Sequence, residues 1–292
     1  MDGFVNMLKP PGMTSSDAAL FVRKRLPRGV KTGHCGTLDP DAAGVLAMSV
    51  GKATRLFDYV IDREKEYIAT VTFGIATDTQ DATGRSISKS GRIVSADEVK
   101  EIIPSFVGDI MQTPPMYSAI KRGGKRLYEM ARAGVEADVE PRKVRVESID
   151  LLDQLDANRF MIRVVCHKGV YIRTLAHDMG QALGCGAHMS FLLRTRVGVF
   201  EIGGASTLEE LSRGDMAEHL LAMDEPVKYL PEIRLNENLE KAVLSGNRFF
   251  APDNENKTGL FRVYMGKRFA GICDRNEAGV CSFERMLLRG GT

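Results

Sequence analysis

Two stretches of two-residue alternation, about ninety residues apart, constrain the fold most strongly. Tyr67, Ala69, Val71 and Phe73 alternate with Ile68, Thr70 and Thr72; Phe160, Ile162, Val164 and Cys166 repeat the pattern. A period of two places one set of side chains on one face, so each stretch reads as a half-buried strand. Helix signals lie among such strands without regular βαβ spacing. Ser15 or Ser16 caps an expected helix over Asp17–Leu26, stopped by Pro27, and Asp39-Pro40-Asp41 reads as a second helix start. Ser95-Ala96-Asp97-Glu98 is a capping-box pattern opening a helix to about Ile103, and Thr207–Glu210 is another, with Gly214 as its stop. Lys168-Gly169 turns the chain into an expected helix over Tyr171–Leu183. The expected class is α+β, with a mixed, largely antiparallel central sheet flanked by helices.

Pro226 to Pro231 reads as a boundary. Beyond it, Phe261–Tyr264, Arg268–Cys273 and Val280–Phe283 are expected strands, with turns at Met265-Gly266 and Asn276–Gly279. The division expected is residues 1–228 and a small C-terminal β-rich module over 229–292.

Composition excludes some classes. Forty Lys+Arg against thirty-eight Asp+Glu give a net charge of +2, which rules out a histone-like polycation but not a nucleic-acid binder. The apolar runs, such as Val45–Val50, are too short to span a bilayer, and no signal peptide is evident at the N-terminus. Cysteines 35, 166, 185, 273 and 281 are odd in number and form no CxxC pair. A reducing, cytoplasmic setting is expected, without a disulfide framework, zinc site or other metal.

Within GHCGTLDPDAAG, Gly33–Gly44, Asp39 has two readings: a cap, or a reactive carboxylate. In KGVYIRTL, the apolar neighbours Val170 and Ile172 argue that Arg173 is partly buried, and a buried guanidinium needs a carboxylate partner. Tyr67 and Tyr171 add aromatics with polar tips, which pack cores whatever their role. The segment Lys121–Arg132, KRGGKRLYEMAR, carries Lys121, Arg122, Lys125, Arg126 and Arg132 against a single acid, Glu129. It is either a solvated face or a basic arm for a phosphate backbone.

Several motifs in a consistent order decide among these readings. LKPPGMTSSDA, GHCGTLDPDAAGVL, KEYIATVTFGIATDTQDATG, PPMYSAIKRGGKRLYEMARAG and KGVYIRTLAHDMGQALGCGAH followed by FLLRTRVGVF span about Asn6 to Gly198. Together they resemble the TruB family of pseudouridine synthases, in its bacterial tRNA pseudouridine(55) synthase branch. The resemblance implies the pseudouridine synthase fold, with an RNA-gripping insertion over about 117–145 and a PUA-like C-terminal module; a purely structural β cap is the alternative for that module. It implies that Asp39 is the catalytic aspartate, that Tyr67 stacks on the target base, and that Arg173 pairs with the aspartate. His34, Tyr171 and Leu192 fall where the family contacts RNA or the target nucleotide. Lys121, Arg122, Lys125 and Arg126 would grip the T arm of tRNA. Cys35 and Ala43 depart from the family pattern beside the aspartate, where hydroxyl residues are common.

The activity implied is isomerisation of uridine 55 in the T loop, with the base flipped out of its stack. Asp39 would attack C1′ or abstract the 2′ proton; both routes stay open. Isomerisation conserves every atom, so no cofactor is expected. With about sixty residues after Pro231, a stand-alone monomer without guide RNA is expected, rather than a relative that works inside a guide-RNA particle. A non-catalytic RNA-folding protein on the same scaffold is the other alternative.

Overall fold

The computed structural model describes residues 1–118, 121–122, 124–126, 130, 135, 139–236, 243–244, 247–251 and 257–288, the side chains of 121, 122, 125 and 126 excepted. In chain order the first strands are β1 (Gly3–Lys9), β2 (Thr32–His34), β3 (Ala43–Val50), β4 (Lys65–Phe73), β5 (Ile75–Thr77), β6 (Ser86–Lys89) and β7 (Gly108–Gln112). They are followed by β8 (Lys121–Arg122), β9 (Lys125–Arg126), β10 (Arg142–Asp156), β11 (Arg159–Cys166), β12 (Ala187–Val197), β13 (Phe200–Glu201) and β14 (Leu220–Leu221). The α-helices whose bounds lie among the described residues are α1 (Ser15–Arg23), α2 (Phe57–Ile61), α3 (Ala96–Ile102) and α4 (Ile172–Ala182).

A ten-stranded sheet runs β14-β1-β3-β12-β4-β11-β10-β7, with β13 joined to β12 and β2 to β3. Its pairings are antiparallel except β12 with β3, which sets Leu193 beside Ala43 and Arg194 beside Gly44. The expected α+β class with a mixed, largely antiparallel sheet holds. The two alternating stretches pair with each other, Val164 opposite Tyr67, and their apolar faces share a core with Leu175, Ala176 and Met179 of α4.

The apolar run Val45–Val50 is a strand buried on both sides, which is why it lacks alternation. Val45 and Ala47 join Phe4 and Phe200 in one core, while Leu46, Met48 and Val50 join Ala18 and Val22 of α1 in another.

A five-stranded sheet follows: β15 (Glu232–Leu235), β16 (Phe249–Phe250), β17 (Gly259–Met265), β18 (Arg268–Arg275) and β19 (Val280–Met286), in the order β15-β17-β18-β19-β16. Val263, Met265, Ala270 and Cys273 form its own core. Tyr264, Phe269 and Ile272 instead join the core shared with Phe4, Val45 and Ala47.

Two expected helix starts are corrected. Helix α1 is capped by Thr14, whose box partner is Asp17, and it ends at Arg23, with looser turns continuing to Leu26. The T-x-x-D spacing selects Thr14, and Ser15 has other work. Asp39-Pro40-Asp41 opens no helix. The Ala42 N–H donates to Asp39 O at 3.1 Å, closing a turn that feeds directly into β3. Asp followed by Pro suits the first two positions of a β-turn as well as a helix start, and the strand-forming run behind it decides the outcome. Elsewhere the Ser95–Glu98 box opens α3 as expected, while the Thr207–Glu210 box closes around a single 3-10 turn over Glu210–Ser212.

Candidate active site

Asp39 sits on the loop between β2 and β3, and this loop is clamped from several directions. Ser15 Oγ accepts from the Leu38 N–H at 2.8 Å and donates to Leu38 O at 3.0 Å. Lys9, fully buried, donates through Nζ to Pro10 O, Met13 O and Pro40 O at 2.8, 2.6 and 3.0 Å. Burial lowers the Lys9 pKa to about 8, against the pull of Asp41. The first motif of the chain, LKPPGMTSS, is therefore the seat of the Asp39 turn.

Arg173 projects from the first turn of α4 and is only 5% exposed. Its guanidinium is divided among three partners. Nε and Nη2 lie 3.3 and 3.5 Å from the two Asp39 oxygens, Nη1 lies 3.5 Å from Asp81 Oδ2, and Nη2 donates to Tyr117 O at 2.7 Å. The expected Asp39–Arg173 pair is present, and both carboxylate oxygens are engaged, but at distances longer than those of a tight fork. The arginine is a shared anchor rather than an exclusive partner.

Asp81 was not among the residues expected at the site. Its Oδ1 accepts from Thr79 Oγ1 at 2.7 Å, Thr83 N at 3.0 Å and Thr83 Oγ1 at 2.6 Å, leaving Oδ2 for Arg173. Gln80, at φ 65, takes the left-handed conformation in this turn; its side chain accepts from Thr174 of α4 and its carbonyl from Met189 N. The signal was in the sequence as TDTQDATG: threonines flanking an aspartate at hydrogen-bonding spacing.

The Asp39 side chain is 36% exposed, so an incoming group can reach it, yet protein crowds it on the other sides. Desolvation pushes its pKa above the ordinary carboxylate value; Arg173 pulls it back, and Asp81 adds to the rise. The sheet supplies the remaining wall. Tyr67 on β4 and Leu192 on β12 are each 7% exposed and share a core with Leu38, Ala42 and Ile172, which places an aromatic and an aliphatic surface beside the carboxylate. Burial raises the Tyr67 pKa, with Arg194 opposing the rise.

Tyr171 caps α4. Its N–H donates to Gln112 Oε1 at 2.7 Å, and Gln112 Nε2 returns a bond to Tyr171 O at 3.1 Å, fixing the turn from edge strand β7. His34 closes β2, opposite Met48. Burial, then Arg194, lowers its pKa, so the ring is neutral at pH 7, and its buried Nδ1 has no hydrogen-bond partner among the described residues. Lys121-Arg122 and Lys125-Arg126 pair as a short antiparallel hairpin; their side chains, and Tyr128 with Arg132, lie outside the described residues.

Among the described residues, one group could offer three ligands to a metal: Glu64, Glu147 and His167. Arg145 Nε already donates to Glu147 at 2.6 Å and Arg196 lies 3.8 Å from Glu64, so arginines neutralise both acids. No helix among the described residues is long and apolar enough to cross a membrane.

This arrangement holds a partly exposed carboxylate beside a buried guanidinium and against an aromatic and an aliphatic side chain. The chain matches known proteins over most of its length. Residues 23–172 match the TruB family pseudouridylate synthase N-terminal domain, 173–230 the tRNA pseudouridylate synthase B C-terminal domain, and 231–287 the C-terminal domain of pseudouridine synthase II TruB. A protein of Heliobacterium modesticaldum named tRNA pseudouridine synthase B is 45% identical over 99% of this chain and 96% of its own length. One of the same name from Alkaliphilus oremlandii is 44% identical over 93% of this chain and 92% of its own. Among solved structures, a crystal structure of a Cbf5-Nop10-Gar1 complex contains a chain with TM-score 0.73 and 25% identity, matched over 98% of this chain and 85% of that one. The chain belongs to the TruB family of pseudouridylate synthases.

Proposed function

We infer that this protein isomerises uridine to pseudouridine in tRNA, and we propose that its target is uridine 55 of the T loop, flipped out of the loop into the slot beside Asp39. The observation that carries the reading is the half-open Asp39 carboxylate, held by a buried arginine and bordered by Tyr67 and Leu192. Desolvation raises the pKa of a carboxylate there, and the Arg173 guanidinium opposes the rise and favours the ionised form. The carboxylate pKa lies nearer the working pH than that of an exposed aspartate, which makes it a stronger base and nucleophile.

In this reading Tyr67 stacks on the uracil, and Leu192 packs against the base or ribose. Asp39 either attacks C1′ as the N1–C1′ bond breaks or removes the 2′ proton to give a glycal. The freed uracil turns within the slot and rejoins C1′ through C5. Loss of the C5 proton, for which Tyr67 is the candidate acceptor, restores the ring. Arg173 holds Asp39 and balances its charge. His34, whose Nδ1 has no hydrogen-bond partner among the described residues, and Tyr171 contact the nucleotide. Lys121, Arg122, Lys125 and Arg126 grip phosphates of the T arm, and flipping, which costs a few kcal/mol, is offset by stacking and those contacts.

Residues 1–228 are the catalytic part in this account, with the 117–145 insertion closing over RNA, and 229–292 are a PUA-like RNA-binding module. The working form is a cytoplasmic monomer without guide RNA; relatives named tRNA pseudouridine synthase B that match nearly end to end support that choice. The reading is tested by incubating an unmodified tRNA transcript with the protein and mapping pseudouridine by carbodiimide-dependent reverse-transcription stops. A single stop at position 55 is expected. Modification confined to another position would refute the T-loop assignment, and modification only with an added guide RNA would refute the stand-alone one.

A further inference from the structure

Arg194 is the bulkiest side chain sealed from solvent among the described residues. Nε donates to Val45 O at 2.7 Å, Nη1 to Thr37 O at 3.3 Å and Nη2 to Gly36 O at 3.1 Å. No carboxylate pairs with it among the described residues. Main-chain carbonyls satisfy its donors but do not neutralise its charge, and a buried cation without an anion is costly. Strand register sets Arg194 opposite Tyr67, so the two side chains leave the same face of the sheet, and the Arg194 charge pulls the tyrosine pKa down. Two of its five N–H groups are not used by the three carbonyls. Gly36 and Thr37, which it grips, precede Asp39 by three and two residues.

We propose that Arg194 is a positioning residue: it holds the Tyr67 hydroxyl and stabilises its phenolate for removal of the C5 proton, while its grip on Gly36 and Thr37 sets the loop that presents Asp39. The proposal rests on the reading of Tyr67 as acceptor of that proton. The bookkeeping is simple. The C5–H bond breaks, its electron pair restores the C5–C6 double bond as the C6–N1 π pair moves onto N1, the C5 proton moves to the phenolate oxygen, and N1 takes a proton from water. The phenol returns the C5 proton to water after product leaves, and Arg194 stays protonated throughout.

The charged and titratable groups around Tyr67 agree with that role. Arg194 faces it from β12, Cys166 from β11 and Asp39 from the loop, with Lys65, at the foot of β4, beside Arg194 and Cys166 and with Arg173 of α4 behind Asp39. Burial raises the hydroxyl pKa, and Arg194 is the main influence pulling it down. A neutral side chain at 194 therefore makes the phenolate scarcer at any given pH.

The test compares Arg194→Gln, which keeps donors but loses the charge, with Arg194→Lys, which keeps the charge but loses the fork. Both are assayed at saturating tRNA, with substrate carrying protium or deuterium at C5 of uridine, after circular dichroism confirms the native fold. Arg194→Gln is expected to lower kcat by about 10²–10³-fold, the loss typical for one preorganised electrostatic group, with KM for tRNA little changed. A normal C5 deuterium isotope effect on kcat should appear, and the rate should recover as pH rises. Arg194→Lys should lose less and keep the wild-type pH dependence. A loss of rate in Arg194→Gln with an isotope effect of unity and a parallel pH profile would overturn the proposal. If Arg194→Gln does not fold, Arg194→Lys decides: a pH profile displaced from wild type overturns the charge argument, and an unchanged rate overturns the positioning argument. Tyr67→Phe is run alongside. Unimpaired tritium release from C5 in that variant would sink the Tyr67 reading itself, whatever Arg194 does.

Discussion

At the scale of single residues, the site is a contest between desolvation and charge. Asp39 is pulled toward protonation by burial and by Asp81, and toward ionisation by Arg173. Replacing Asp81 with Asn removes a negative neighbour, so Asp39 ionises more readily. The acidic limb of kcat against pH should move to lower pH. The same change frees one side of Arg173, and the looser geometry should lower kcat by about 10–100-fold at pH 7. A limb that moves up, or does not move, would show that Asp81 does not influence Asp39. Arg173 was legible as a partly buried guanidinium in need of a carboxylate because apolar residues flank it, whereas acid, proline and glycine around Asp39 suit a cap as well, and only the family resemblance assigned it to the site. Asp81, Lys9, Ser15 and Arg194 were not assigned to the site. Lys9, Ser15 and Arg194 act mainly through main-chain groups brought close by the fold, and no periodicity or local spacing reports such partners.

At the scale of elements, the parallel contact between β3 and β12 ties the Asp39 loop to the rest of the sheet. Gly44 has φ +116, and a Cβ there would collide with the Arg194 backbone. Gly44→Ala should cost about 2–4 kcal/mol in chemical denaturation, from strain and displacement together. A loss below about 0.5 kcal/mol, the range of ordinary surface changes, would show that the two strands can part without consequence. Lys65, at the start of β4, is 6% exposed, bonds Ile61 O and Arg63 O, and has its pKa lowered from 10.5 to about 8 by burial, then Arg194. Between those values the unfolded chain binds the Lys65 proton and the folded one does not, so this residue makes stability rise with pH there. The stability of wild type relative to Lys65→Met should therefore increase by about 1–3 kcal/mol from pH 8 to pH 10.5. A difference that stays flat would mean that Lys65 keeps its ordinary pKa. Strands β4 and β11 were readable because each buries one face of the large sheet, and alternation records that. The Asp39 turn was misread as a helix start because Asp-Pro serves both structures locally, and the choice is made by the strand that follows.

At the scale of the whole molecule, two sheets share one core: Phe4, Val45 and Ala47 of the large sheet pack with Tyr264, Phe269 and Ile272 of the small one. The strands of the small sheet were visible from their turns, but its docking was not, since both faces of β17 and β18 are apolar and sequence does not say against what. Neutralising Lys121, Arg122, Lys125 and Arg126 together should weaken tRNA binding and flatten the slope of log affinity against log salt by about 2–4. An unchanged slope would mean that none of the four meets a phosphate. The central claim is that the Asp39 carboxylate drives isomerisation of one uridine in tRNA. The most direct measurement uses tRNA carrying tritium at C5 of its uridines, with wild type and Asp39→Asn in parallel and tRNA binding measured for both. Wild type should release about one equivalent of tritium per tRNA, Asp39→Asn none, and the two should bind tRNA with similar affinity. Release by Asp39→Asn at a rate near wild type would contradict the central claim.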